Sequence, residues 1–189
     1  MTEAADRTGR LVLVVGPSGA GKDSLIEAAR QALRGQPGYV FPHRIITRRS
    51  DPGSEEHVTL SEADFTRRQA AGDFFLHWPA HGLHYALPAS IAADLAASAT
   101  VVANVSRSVV DEARRRHPAT SVIFVTAPAA VLEQRLLARG REDLAAVRAR
   151  LARSSAAPAG PGVATVINDG PLAVAAAQFL AVLKAQAEA

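Results

Sequence analysis

The sequence predicts an α/β protein with a central parallel sheet and helices on both of its faces. Three observations predict it. A short β-branched apolar run, LVLVV at residues 11–15, leads through a glycine-rich turn into a segment with apolar residues at helical spacing. Apolar runs and helical patterns then alternate along most of the chain, as strands and crossover helices do in a parallel sheet. The 189 residues, 48% apolar and 21% charged, suit a single domain with an ordinary core.

Taken in order, residues 11–15 read as a strand buried on both faces. Leu25, Ile26, Ala29 and Leu33 recur at helical spacing, which predicts a helix from Lys22 to about Gly35. Further strands are predicted at residues 40–47, 100–105, 121–126 and 165–167. Helices are predicted at 106–116, 128–139 and 171–187. Two regions break the alternation. Residues 48–90 hold a polar turn (RRSDPGSEE), a short helix at 61–71 and an aromatic, His-rich stretch (FFLHWPAHGLHYALP). Residues 139–160 are Arg-rich and end in SSAAPAGPG, a Pro/Gly/Ser segment. Both read as insertions beside a ligand site at the carboxyl ends of the strands: a substrate-binding part and a lid that excludes water.

The turn after the first strand is GPSGAGKDS, Gly16 to Ser24. Gly16, Gly19 and Gly21 let a backbone wrap closely around an anion, and successive N–H groups at the start of a helix bind it. Lys22 is a compact charge able to reach the β- and γ-phosphates of a nucleotide. The plain alternative is a glycine turn that binds nothing, but the strand before and the helix after are the context a phosphate loop (P-loop) requires. One letter departs from the pattern. Asp23 stands where Ser or Thr is expected to hold magnesium, and Ser24 follows one place late. The predicted strand TVVANVSR carries Asn104 at its tip, where a magnesium-holding carboxylate is expected. Either the acidic ligand has moved from the strand tip to the loop, or Asp23 caps the helix, where a carboxylate is favourable anyway.

Composition narrows the partners. Net charge is +3, from 21 basic and 18 acidic residues, which suits anionic ligands. One basic cluster, Arg114-Arg115-Arg116-His117, reads as a solvated helix end, so no nucleic-acid partner is predicted. There is no cysteine, hence no disulfide framework or zinc ribbon. No apolar run nears the ~20 residues of a membrane span, and the first ten residues hold no apolar signal segment. A cytoplasmic protein with no membrane partner is the expectation; oligomeric state is not legible.

These residues resemble a known family. GPSGAGKDSL is similar to the loop of the nucleoside monophosphate kinases, in the guanylate kinase branch. IITRRSDPGSEEHVTLSEADF is similar to that branch's Thr-Arg substrate segment, HGLHYALP to its Gly-x-Tyr-Tyr segment, EQRLLARGRED…RARL to its Arg-rich lid, and INDGPL to its Asn-Asp segment. The likeness runs from about residue 11 to 172 and implies a guanylate-kinase-like P-loop NTPase, three layers α/β/α, that uses ATP and magnesium. The departures select a branch. The carboxylate that reads guanine is replaced by Leu76 or His77, Arg44 stands where a small hydroxyl residue precedes the Thr-Thr-Arg, and the second arginine of the Arg-x-x-Arg pair falls on Asp51. With Lys22-Asp23-Ser24 and VANVSR, these changes resemble the ribose 1,5-bisphosphate phosphokinases of phosphonate degradation, which make 5-phosphoribosyl 1-diphosphate from ATP. A guanine site lacking its carboxylate leaves N–H donors unpaired, which costs orders of magnitude in discrimination. An added arginine instead matches phosphate oxygens bidentately.

The resemblance implies roles. The loop residues Gly16, Pro17, Ser18, Gly19, Ala20, Gly21, Lys22, Asp23 and Ser24 bind nucleotide phosphates, Asp23 with the metal, while Asn168 and Asp169 sit by the adenine. Lys22, Arg135, Arg139 and Arg150 stabilise the transferring phosphoryl group. Arg44, Arg48 and Tyr85 hold a small sugar phosphate; by position, His57 in the substrate insertion and Arg107 just past the Asn104 strand tip are further candidates. Arg139 and Arg150 lie about 16 Å apart on a straight helix, so a bend at Gly140 is required if both reach the site. Arg141, Arg148 and Arg153 read as a solvated face. A phosphate-monoester acceptor has a second pKa of about 6 and needs no general base. The rivals are a true guanylate kinase, and a non-catalytic guanylate-kinase-like module, which typically loses the phosphate loop kept here.

Overall fold

The computed structural model describes residues 8–47, 57–138, 151 and 156–188. Five strands form a parallel sheet in the order β2–β7–β1–β8–β9: β1 Arg10–Val15, β2 Tyr39–Val40, β7 Thr100–Asn104, β8 Thr120–Thr126 and β9 Val163–Ile167. Leu11 to Val15 are all fully buried, as a central strand covered on both faces must be. Its alternate residues divide the core. Leu11, Leu13 and Val15 pack with Ile91 and Leu95 of α3 (Ile91–Ala96) and with Val110 and Ala113 of α4 (Val110–Arg116). Val12 and Val14 pack with Leu25 and Ala29 of α1 (Lys22–Ala32), Leu132 of α5 (Ala129–Leu137), and Phe179 and Leu183 of α6 (Leu172–Glu188). Two apolar faces on one sheet make the three layers.

A second sheet, β4–β3–β6–β5, stands beside the first: β3 Ile45–Ile46, β4 Val58–Thr59, β5 Phe74–Ala80 and β6 Leu83–Pro88. Its own small core is Ile45, Phe65, Phe74 and Ala86, with Phe65 supplied by α2 (Glu62–Ala70). Ser61 caps α2, its hydroxyl accepting from the Asp64 N–H at 3.1 Å.

Three expectations change. The strand read at 40–47 is two strands in different sheets, separated by Phe41-Pro42-His43-Arg44. Pro42 donates no ladder hydrogen bond and holds Phe41 extended, so the chain crosses between sheets there. The helix read at 106–116 opens with a 3₁₀ turn at Arg107–Val109 before α4 begins. The aromatic, His-rich stretch is the β5–β6 hairpin, turning on His81 and Gly82 with φ of 53° and 72°. Two consecutive positive φ values give the twist that a two-residue hairpin needs, and histidine tolerates that region better than most side chains. Among the described residues no helix is long and apolar enough to cross a membrane.

Candidate active site

The site starts where β1 ends. Gly16 follows Val15 with φ 150°, and a Cβ there would lie 1.9 Å from the Val125 carbonyl oxygen. Gly21, the N-cap of α1, has φ 84°, and a Cβ would lie 2.4 Å from Asn168 Nδ2. The loop's glycines are therefore demanded by the protein's own packing as well as by any ligand. Lys22 is the first residue of α1. Its ammonium donates to the carbonyls of Gly16 and Pro17, both at 2.9 Å, so the charge lies across the mouth of the loop.

In-register pairing sets Asn104 at the tip of β7 beside Val14. That places Asn104 against the first turn of α1, where its amide donates to Asp23 Oδ1. The same carboxylate oxygen lies 3.6 Å from a guanidinium nitrogen of Arg44, on the segment that leads into β3. Asp23 is the second helical residue and Gly21 is the cap, without a side-chain cap bond, so the helix-cap reading of Asp23 does not describe this structure. The charge still lies in the first turn, where it is favourable.

These groups line one cleft of about 650 Å³ between the two sheets. Its loop side is Gly16, Ser18, Gly19, Gly21, Lys22, Asp23 and Ser24. The second sheet contributes Arg44, Trp78, Ala80, His81 and Tyr85, and the β7 tip contributes Asn104, Val105, Ser106 and Arg107. Tyr85 is held by Trp78, across the β5–β6 ladder, with rings stacked at 5.8 Å and 8°. Arg107 lines the cleft and also donates to the Ala156 carbonyl.

The other sequence-derived candidates fall elsewhere. Arg135, expected over the transferring phosphoryl group, donates to the carbonyls of Asn168 (2.9 Å) and Gly19 (3.5 Å). Asn168, expected beside a base, is 3% exposed and donates to the Ala20 carbonyl at 2.8 Å. Both brace the phosphate loop from behind: Pro17 and Ala20 are buried, and the orphan carbonyls of a tight loop need such donors. Asp169 is exposed at the start of the following turn. His57 precedes β4, the edge strand of the second sheet, and does not line the cleft. Leu76 is fully buried core, and His77 is outside the lining. Arg48, Asp51, Arg139, Gly140, Arg141, Arg148, Arg150 and Arg153 lie outside the described residues, as does most of the expected lid.

The basic cluster is more structural than its sequence suggests. Arg114 donates to the carbonyls of Ala159 (2.7 Å) and Pro161 (2.8 Å), and Arg116 donates to the Phe75 carbonyl and pairs with Glu112. His117 is buried with Nε2 2.7 Å from the Gly9 carbonyl. Sequence reading missed Trp78 and Ser106 as cleft residues. The hairpin's alternation supplied a usable signal for Trp78, since it shares a strand face with Leu76 and Ala80. Nothing local marked Ser106.

A metal fits what is present. The Asp23 carboxylate lines the cleft together with Ser24, Asn104 and Ser106, whose side-chain oxygens are hard donors. Among the described residues no group of three His, Cys, Asp or Glu forms a dedicated cage. That set suits magnesium, which takes one or two carboxylates and completes its shell with water and phosphate oxygens.

Comparison with known proteins adds the following. The family model described as guanylate kinase matches residues 8–179. The ribose 1,5-bisphosphate phosphokinase PhnN of Acidiphilium cryptum is 50% identical over 177 residues, covering 94% of this chain and 93% of that protein. PhnN of Brucella melitensis is 47% identical over 173 residues, covering 91% and 90%. Among solved structures, a guanylate kinase from Anaplasma phagocytophilum superposes with a TM-score of 0.68 at 16% identity, covering 97% of this chain and 89% of that one, a likeness of fold.

Proposed function

The chain belongs to the guanylate kinase family and, within it, to the ribose 1,5-bisphosphate phosphokinases, and we propose that it transfers the γ-phosphoryl group of ATP to the 1-phosphate of ribose 1,5-bisphosphate, giving 5-phosphoribosyl 1-diphosphate and ADP. One observation carries the choice of acceptor. Among the described residues the cleft's acceptor side presents a guanidinium, Arg44, and its single carboxylate is Asp23, which Arg44 and Asn104 already hold. A neutral base with N–H donors to satisfy finds little here; a phosphate finds a charged fork.

The chemistry follows from placement and charge. Loop N–H groups and the positive end of α1 hold the nucleotide phosphates, and Lys22 moves from the Gly16 and Pro17 carbonyls onto phosphate oxygens. Asp23, with Ser24 and Asn104, would hold magnesium, which when bound neutralises charge on the β- and γ-phosphates. Arg44, Tyr85 and Arg107 orient the acceptor, with Arg48 in the same role. An oxygen of the 1-phosphate forms a bond to the γ-phosphorus as the bond to the bridging oxygen breaks, and that electron pair leaves on ADP. The acceptor oxygen is already ionised near neutral pH, so no side chain has to take a proton. Arg135, Arg139 and Arg150 complete the proposal as the arginines that stabilise the transferring phosphoryl group, Arg135 from its place beside the Gly19 carbonyl.

The test offers ATP and magnesium with either ribose 1,5-bisphosphate or GMP. We expect kcat/KM for the sugar bisphosphate to exceed that for GMP by about two orders of magnitude or more. Comparable turnover of GMP would make the chain a guanylate kinase. ADP formation with neither acceptor would leave a binding module or another substrate.

A further inference from the structure

The geometry points to a second anion subsite, formed by Arg30 and Arg44, that takes the distal phosphate of the acceptor. It rests on the bisphosphate reading above and assigns the end of the molecule that does not react. A second cleft of about 460 Å³ opens beyond the first and shares a wall with it: Asp23, Ser24, Arg44 and Asn104 line both. A ligand with one phosphate at the loop therefore has open space past the Asp23–Arg44 pair for its other end.

The new cleft runs along one stripe of α1. Asp23, Glu27 and Arg30 are spaced i, i+4, i+7 and so share a face, with Arg30 about 10 Å from Asp23 along the axis. Long helical side chains lean toward the helix N-terminus, which brings this guanidinium back toward the shared wall. It is held in place by Glu27 Oε2 at 3.3 Å and lies 5.9 Å from the centre of the Phe41 ring. Glu27 is engaged on its other oxygen as well, accepting from Gln31 Nε2 at 3.0 Å, so it is poorly placed to read a base. Both carboxylates of the cleft, Asp23 and Glu27, are paired with its arginines. A guanidinium is a planar fork of N–H donors that matches the oxygens of a phosphate bidentately. Two such forks facing one space suit a phosphate-monoester dianion.

The experiment compares wild type, Arg30→Met and Arg30→Lys on ribose 1,5-bisphosphate and ribose 1-phosphate. The ratio of kcat/KM for the bisphosphate over the monophosphate should fall about 10- to 100-fold in Arg30→Met, mainly through KM. Arg30→Lys should recover part of the ratio, because the charge remains while the fork is lost. An unchanged ratio in Arg30→Met, with or without a lowered unfolding temperature, would overturn the subsite and make Arg30 a brace for Phe41. Should wild type phosphorylate neither sugar, the proposed function fails separately. Calorimetric binding of ribose 1,5-bisphosphate then decides the subsite: weaker binding to Arg30→Met by the same factor supports it, and equal or absent binding overturns it.

Discussion

Lys22 and Asp23 are neighbours with opposite charges and separate tasks. The Lys22 ammonium lies 2.9 Å from two loop carbonyls, a position a phosphate oxygen takes over with little movement. Lys22→Ala should lower kcat by about 100-fold or more while the far-UV spectrum and unfolding midpoint stay near wild type, because the glycines hold the loop's shape. Undiminished turnover would end the kinase reading. Asp23 meets Asn104 directly, so the two positions are coupled by contact. Asp23→Ser restores the common loop letter yet removes the cleft's carboxylate. It should raise the magnesium concentration needed for half-maximal activity and weaken metal-dependent nucleotide binding measured by calorimetry. Adding Asn104→Asp should recover part of that loss, and Asn104→Asp alone should help little, since it sets two carboxylates side by side. The double-mutant cycle reads the coupling. Silence of Asp23→Ser at limiting magnesium would leave Asp23 as a partner of Arg44 and Asn104 with no part in holding the metal.

At the level of elements, the phosphate loop is a strand end and a helix start held by braces from far along the chain. Asn168, at the end of β9, supports the Ala20 carbonyl, and Arg135 on α5 reaches Gly19 and Asn168. Gly21→Ala should therefore damage the site twice, through a φ of 84° and through a Cβ pushed against Asn168. The expected result is a loss of ATP affinity together with about 1–3 kcal/mol of stability in urea unfolding. Normal ATP binding by this variant would show that the loop tolerates the shift. The strand, loop and helix from Arg10 to Ala32 were legible in sequence, because their signals are local: a β-branched run, three glycines and a 3.6-residue period. The braces were not. Arg135 and Asn168 carry no local mark that separates a side chain facing a ligand from one facing a carbonyl.

For the molecule as a whole, stability rests on the two cores that flank β1. Phe179 of α6 is fully buried among Val12, Val14 and Val166, all fully buried or nearly so. Phe179→Ala should cost about 3–5 kcal/mol by urea unfolding, with the fold retained; a loss under about 1 kcal/mol would mean that α6 is not integral to the core. By itself the sequence determined the parallel α/β class, the phosphate loop with its odd Asp23 and the branch of the family. Each of these is written in periodicity, glycine placement or a contiguous motif. Only the tertiary structure decided which distant residues meet. It split residues 40–47 between two sheets and folded the His-rich stretch into a hairpin. It set Arg44 on Asp23 and placed Arg135 and Asn168 against the carbonyls of the loop. The reason is physical: periodicity fixes which face of an element is apolar, but the partner of a polar side chain depends on the crossovers and registers that bring separate elements together.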